Sequence, residues 1–199
     1  ENASTKMIDA VNPGSRERMI EAAIALMRRS GLSGAGINEI VRHSGAPKGS
    51  VYHFFPQGKR QIVAESLAVY SQRVLAAMAA SLAGGRTPGG KVQALFRAFA
   101  QRLEQGEFRA SCAAGTVCLD LDDDLEVVRL AVESAFDDWA ALIAAHLGFA
   151  DARRARSFAG LVLTAIEGAY IRGRAERSSR PFREAGQWLS ELADAEAQR

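Results

Sequence analysis

The feature that most constrains this chain is the recurrence of apolar residues at steps of three and four from Ser15 almost to its end, with no useful stretch of strict apolar–polar alternation. A period near 3.6 collects such residues on one face of a helix, whereas a half-buried strand needs a period of two. The chain is therefore expected to be all-α. "SRERMIEAAIALMRRSG" puts Ile20, Ala23, Ile24 and Met27 on one face, with Ser15 as N-cap and Gly31 as the stop. "INEIVRHSG" repeats the pattern in miniature with Ile37, Ile40 and Val41, ending at Gly45. "APKGSVYHFF" supplies a third, very short helix, with Pro47 in its first turn and Val51 and Phe55 facing inward. Two short helices joined by a glycine-containing turn, behind a longer one, make a helix-turn-helix unit.

From Gly58 no helix breaker occurs until Gly84-Gly85, so a long fourth helix should leave the small unit as a lever arm. Beyond a loop from Gly84 to Lys91, helices are expected over Val92 to Gln105, Ala110 to Asp120, Leu125 to Leu147, Ala152 to Arg177 and Phe182 to Ala197. The organisation that results is a polar, aperiodic arm over 1–14, expected to be disordered, a small helical unit over 15–60 and a larger helical one over 61–199. Phe158, Leu161, Val162, Ala165, Ile166, Ala169 and Tyr170 form a stripe that suits either a core or a dimer surface.

Composition excludes several classes. With 48% apolar and 24% charged residues the chain is ordinary for a globular protein. No apolar run approaches the roughly 18 residues of a membrane span, and the first residues lack the apolar core of a secretion signal, so a cytoplasmic location is expected. Cys112 and Cys118, six apart, would lie about 120° from each other on a helix and have no second pair for a zinc site, so both should be reduced thiols. Charge is uneven. Residues 15–60 carry eight Lys or Arg against three acids, while 61–199 carry sixteen against eighteen. The first quarter is the part prepared for a polyanion.

"SGAPKGSVYHFFPQGKRQ" concentrates that preparation. A helix N-terminus carries partial positive charge, so a cation in a first turn is normally a small penalty. Here Lys48 opens the third helix, and Lys59 with Arg60 opens the fourth. A docked phosphate reverses the penalty, because free backbone N–H groups and ammonium groups then point at one anion. On their own, Tyr52 and His53 would as readily cap a small core. Set beside Gly45, Pro47, Lys48 and Lys59 they read as outward-facing donors to phosphate, with Gly49 and Ser50 small enough to let the backbone approach base edges.

At these residues the sequence resembles the TetR family of transcriptional repressors, from Ser15 to about Val74 and most densely over "INEIVRHSGAPKGSVYHFFPQGKRQI". "GAPKGSVYHFFPQGK" together with "SCAAGTVCLDL" is similar to the branch that contains the LmrA and YxaF repressors. The resemblance implies an N-terminal DNA-binding domain joined by the fourth helix to a helical ligand-binding and dimerisation domain. It implies that Lys48, Gly49, Ser50, Tyr52 and His53 face DNA, that Lys59 grips phosphate, and that a homodimer paired through its last two helices meets a double-stranded, near-palindromic operator. A small hydrophobic effector wedged beside the fourth helix would tilt it and release the DNA. Two positions depart from the family, which often has Thr at Gly36 and Ser at Pro47. The phosphate contacts of those hydroxyls should be absent, or made by Ser33 or main-chain N–H groups.

Other motifs carry less. "GRTPGGK", Gly85 to Lys91, has the spacing of a phosphate-binding loop but is followed by Val92 and preceded by a helix. Asp120 and Asp122 to Asp124 lack the glycine and distal glutamate of a calcium loop; Asp123-Asp124-Leu125-Glu126 fits a capping box instead. No metal, cofactor or catalytic constellation emerges, so no enzyme is expected. In the larger unit Phe99, Cys112, Phe136 and Trp139 are candidates to line an effector cavity, with Glu167 as its polar handle because it interrupts an apolar stripe. The alternative function is a dimeric helical small-molecule binding protein without DNA affinity.

Overall fold

The structure, a computed structural model, describes residues 14–122 and 125–198. The arm expected over 1–14 lies, Gly14 apart, outside them, as do Asp123 and Asp124 of the expected capping box. Among the described residues there are nine α-helices and no strand: α1 (Ser15–Gly34), α2 (Ile37–Ser44), α3 (Val51–Phe54), α4 (Lys59–Ala83), α5 (Pro88–Gln105), α6 (Ala113–Cys118), α7 (Glu126–Leu147), α8 (Ala152–Glu176) and α9 (Arg180–Ala197). α1 packs on α2, α4 and α6; α4 runs on to pack against α7 and α5; α5 lies along α9, and α8 closes against α7 and α9. α4 crosses residue 60 without a break, its buried side chains recurring from Ile62 to Leu82.

Local details differ from the sequence reading for physical reasons. The N-cap of α1 is Gly14, and Ser15 lies inside the helix, its hydroxyl accepting from Arg18 Nη2 at 3.2 Å. The helix does break at Gly31, whose φ of 68° and ψ of −164° leave helical space. A Cβ there would also come within 3.2 Å of the Thr116 carbonyl, so glycine provides both the turn and the close approach of α6. α5 starts at Pro88, earlier than expected: Thr87 caps it by accepting from Gly90 N at 3.0 Å, and Asp194 of α9 accepts from Gly89 N at 2.8 Å. Lys91 meanwhile donates to the His146 carbonyl at 2.7 Å, so the "GRTPGGK" stretch is a structural corner.

α6 is much shorter than the Ala110 to Asp120 helix expected. Glu107 and Phe108 adopt positive φ, and the segment after them pairs with α1: Ser111 N donates to Arg28 O at 2.8 Å, and Arg28 Nε donates to Ser111 O at 3.1 Å. Thr116 Oγ1 donates to Met27 O at 2.7 Å, and Arg174 of α8 reaches Arg29 O at 3.2 Å. The carbonyls that the end of α1 leaves without intrahelical partners are thus satisfied by the larger unit. α4 is one connection between the two units, and α6 with its flanks is a second.

Candidate nucleic-acid interface

Residues Lys48–Ser50 form a 3₁₀ turn that runs directly into α3. Lys48 therefore opens a 3₁₀ turn and not an α-helix, closed by Ser50 N to Pro47 O at 3.0 Å; Pro47 brings no N–H and Gly49 is a poor helix former, which favours the tighter turn. Val51 and Phe55 are fully buried beneath it, and the Arg16 guanidinium lies 5.5 Å from the centre of the Phe55 ring. Tyr52 is 63% exposed, and Lys48, Gly49 and His53 are exposed beside it, while Ser50 and Lys59 are half-buried. Nothing lies within 4 Å of where a Gly49 side chain would begin. Backbone and ligand can approach there.

Gly58 ties this segment to α4. Its φ of 63° and ψ of −137° suit only glycine, and a Cβ on it would sit 3.4 Å from Tyr52 Cε1. The turn therefore brings Tyr52 and Lys59 onto one patch. The first turn of α4 contains no acid and has no side-chain cap, so its N-terminal field favours an incoming negative charge. A polar chain holds the corner: Gln57 N donates to Gln61 Oε1 at 3.0 Å, Gln61 Nε2 to Glu65 Oε1 at 2.8 Å, and Glu65 pairs with Arg16 of α1. Arg18 Nε donates to Ser44 O at 3.0 Å and so fixes the end of α2. Sequence reasoning missed Arg16, Arg18 and Gln61 as positioning residues. The signal was present, since Arg16 and Arg18 are cations in the first turn of α1, the same anomaly that drew attention to Lys59.

Two expected polar roles change. The Ser50 hydroxyl donates to Pro47 O at 2.6 Å, so towards an anion it has no proton left to give. Ser33 is committed to the larger unit: its N–H and hydroxyl donate to Asp120 Oδ2 at 2.9 and 3.0 Å, which holds the Asp120 carboxyl below its ordinary range. Of the substitutes for the missing hydroxyls at Gly36 and Pro47, only main-chain N–H groups remain.

The five candidate effector residues are spread over the larger unit. Phe99 is buried, stacked on Phe182 with centroids 6.4 Å apart and edge-on to Tyr170. Trp139 is buried, with Nε1 donating to Ser71 O at 3.4 Å, and Phe136 meets its ring edge-on at 5.4 Å. Cys112 is buried and Cys118 exposed, both free thiols. Glu167 turns its carboxyl onto Gly115 of α6 and the Cys112 thiol, and burial pushes it up to about 7. Phe136 and Glu167 share the wall of an open cavity of about 480 Å³ between α7 and α8. Phe99, Cys112 and Trp139 are elements of the packed interior.

Comparison with known proteins gives this geometry a family. Residues 19–66 match the model of bacterial regulatory proteins of the tetR family, and residues 88–188 match that of the transcriptional regulator LmrA/YxaF-like C-terminal domain. The HTH-type transcriptional regulator Rv0196 of Mycobacterium tuberculosis is 33% identical over 177 residues, covering 85% of this chain and 89% of the relative. The HTH-type transcriptional regulator LmrA of Bacillus subtilis is 28% identical over 171 residues, covering 84% and 90%. Among solved structures, a cysteine mutant of the TetR family transcriptional regulator CifR, complexed with a 26-bp double-strand operator DNA, superposes with a TM-score of 0.78 at 16% identity, covering 90% of this chain and 97% of that one.

Proposed function

The chain belongs to the TetR family of bacterial regulatory proteins and is a DNA-binding transcriptional regulator, and from that premise we propose that it is a cytoplasmic repressor that binds a near-palindromic operator as a homodimer and is released by a small hydrophobic or aromatic ligand. The observation that carries the DNA-facing part is the exposure of Lys48, Tyr52 and His53, beside the half-buried Lys59 and above the buried anchors Val51 and Phe55. Tyr52, His53 and Lys48 contact the groove, Gly49 admits its edge, and Lys59 with the start of α4 holds a phosphate. That the fold neighbour CifR is complexed with a double-strand operator supports duplex DNA as the partner.

Dimerisation is supported by the outer faces of the last two helices. Leu161 and Ile171 on α8 and Trp188 and Leu192 on α9 are between 49% and 68% exposed, more apolar surface than two adjacent helices of a monomer leave in water. The stripe expected on α8 is in fact two: Val162, Ile166, Ala169 and Tyr170 are core, while Leu161 points outward. Pairing these faces sets two recognition segments about 34–36 Å apart, one turn of duplex. A near-complete switch needs a ligand that prefers the released form by about 5 kcal/mol. Both routes between the units, α4 and α6, can transmit it. No helix among the described residues is long and apolar enough to cross a membrane.

The test is a gel-shift titration against the DNA upstream of the chain's own coding region, with Tyr52→Ala as the variant. Because Tyr52 is exposed, the variant should keep its helical circular dichroism and lose about 1–3 kcal/mol of binding, roughly five- to 150-fold. Undiminished affinity would remove the recognition-segment assignment.

A further inference from the structure

An open cleft of about 490 Å³ lies where the two units meet, bounded by α1, α4, the end of α5 and α8. Its charged lining is Glu21, Arg28, Arg73 and Arg102, three guanidinium groups against one carboxylate, with Tyr70, Gln105 and Tyr170 as the uncharged polar groups. Glu21 is already consumed by Arg73, which grips both its oxygens. Among the described residues no acid pairs with Arg28 or Arg102. Arg28 Nε donates to Ser111 O, which fixes the guanidinium plane and leaves its outer N–H groups to a ligand. Arg102 lies 5.8 Å from the centre of the Phe99 ring and is held by that face.

A second observation points the same way. Tyr170 is 2% exposed, and it lines the cleft with no hydrogen bond recorded for its hydroxyl among the described residues. Arg28, Arg102 and Tyr170 share the wall of the cleft, and both guanidinium groups, like Cys112 and Glu167, lie near enough to act electrostatically on the phenol. A phenol that opens onto the cleft beside two guanidinium groups, neither of them ion-paired among the described residues, is a polar set with room for an anion. Ile24 and Val74 add apolar wall to it.

We propose that this cleft binds a small aromatic acid, its anionic group held by Arg28 and Arg102 with a hydrogen bond from Tyr170, its ring body against Ile24 and Val74. The size fits a compact ligand. Arg28 stands on α1, whose end is bound to α6, and Arg102 stands on α5, so the anion ties the recognition unit to the sensing unit and its binding is coupled to DNA affinity. Only this regulatory consequence rests on the repressor reading above; the binding itself rests on the cleft.

The test uses the full chain and the fluorescent probe 8-anilinonaphthalene-1-sulfonate, with uncharged N-phenyl-1-naphthylamine as its counterpart. One tight sulfonate-dependent site per chain is expected, weakened at least tenfold by Arg102→Gln and at least threefold by Tyr170→Phe, which keeps the ring packing. The uncharged probe should bind at least tenfold more weakly and ignore Arg102→Gln. Saturation with the anionic probe should shift wild-type duplex affinity at least fivefold, and Arg102→Gln should erase that shift. Sulfonate binding indifferent to both substitutions, or matched by the uncharged probe, overturns the proposal. A chain that binds the probe through Arg102 but prefers no duplex overturns the repressor reading and leaves the cleft standing.

Discussion

Two of the surfaces that the molecule exposes are opposites in chemistry. Around α3 the exposed groups are Lys48, Tyr52 and His53, set over a small core by Val51 and Phe55; along α8 and α9 they are Leu161, Ile171, Trp188 and Leu192. The first suits a partner that is charged, hydrated and already surrounded by counterions, so its affinity must fall steeply with salt. The second suits a partner that is apolar and self-complementary, so its affinity should be nearly indifferent to salt. On the proposed function, one chain would carry a reversible surface tuned by the medium and a permanent one that is not.

The sharpest way to break this contrast is Trp188→Glu, which places a charge in each half of the apolar face. By symmetry both copies carry it, and the dimer should weaken by about 4 kcal/mol, near a thousandfold, in sedimentation experiments. A dimer that survives would move the pairing surface elsewhere. Within α8 the contrast is inverted, since apolar residues face out while the Glu167 carboxyl faces in, pushed up to about 7 by burial. Its folded-state value lies above the ordinary 4.5, so the fold is favoured by the protonated acid: that contribution is complete below about pH 4.5 and lost as pH rises to about 7. Glu167→Gln should match the wild type near pH 4 and exceed it by about 2 kcal/mol at pH 8 in denaturant titrations, a value reduced for the open side of its cavity. Equal curves at both pH values would mean the carboxyl is solvated. The smallest effect belongs to Lys59→Ala, which should cost under about 1 kcal/mol of DNA affinity but flatten the log–log salt dependence by about one unit. An unchanged slope would take Lys59 off the phosphate.

What could be read from the sequence follows from how local each signal is. The helices are visible because periodicity is carried by neighbours: α2, α4, α7 and α8 lie within a few residues of where Ile37, Gly58, Leu125 and Ala152 suggest they begin. The exposed segment around Tyr52 is visible for the same reason, since Lys48 and Lys59 stand out against their own local context. The short α6 was not legible, because the partner of Ser111 is a carbonyl 83 residues away on α1. Nor was the start of α5, steadied by Asp194 across 105 residues. Ser50 could be placed at the surface from sequence, but not its hydroxyl's commitment to Pro47. The interunit cleft left no local trace, since Arg28, Arg102 and Tyr170 are ordinary members of three separate helices.

The capping of α1 by the other unit has a consequence for how such regulators can be recombined. Transplanting residues 15–83 onto a foreign body would strand the acceptors of Met27, Arg28 and Arg29 and remove the aspartate that steadies Ser33. The reading head is not a cartridge: a working chimera has to carry 111–120 and Arg174 along with it, so that the two halves are exchanged as matched parts.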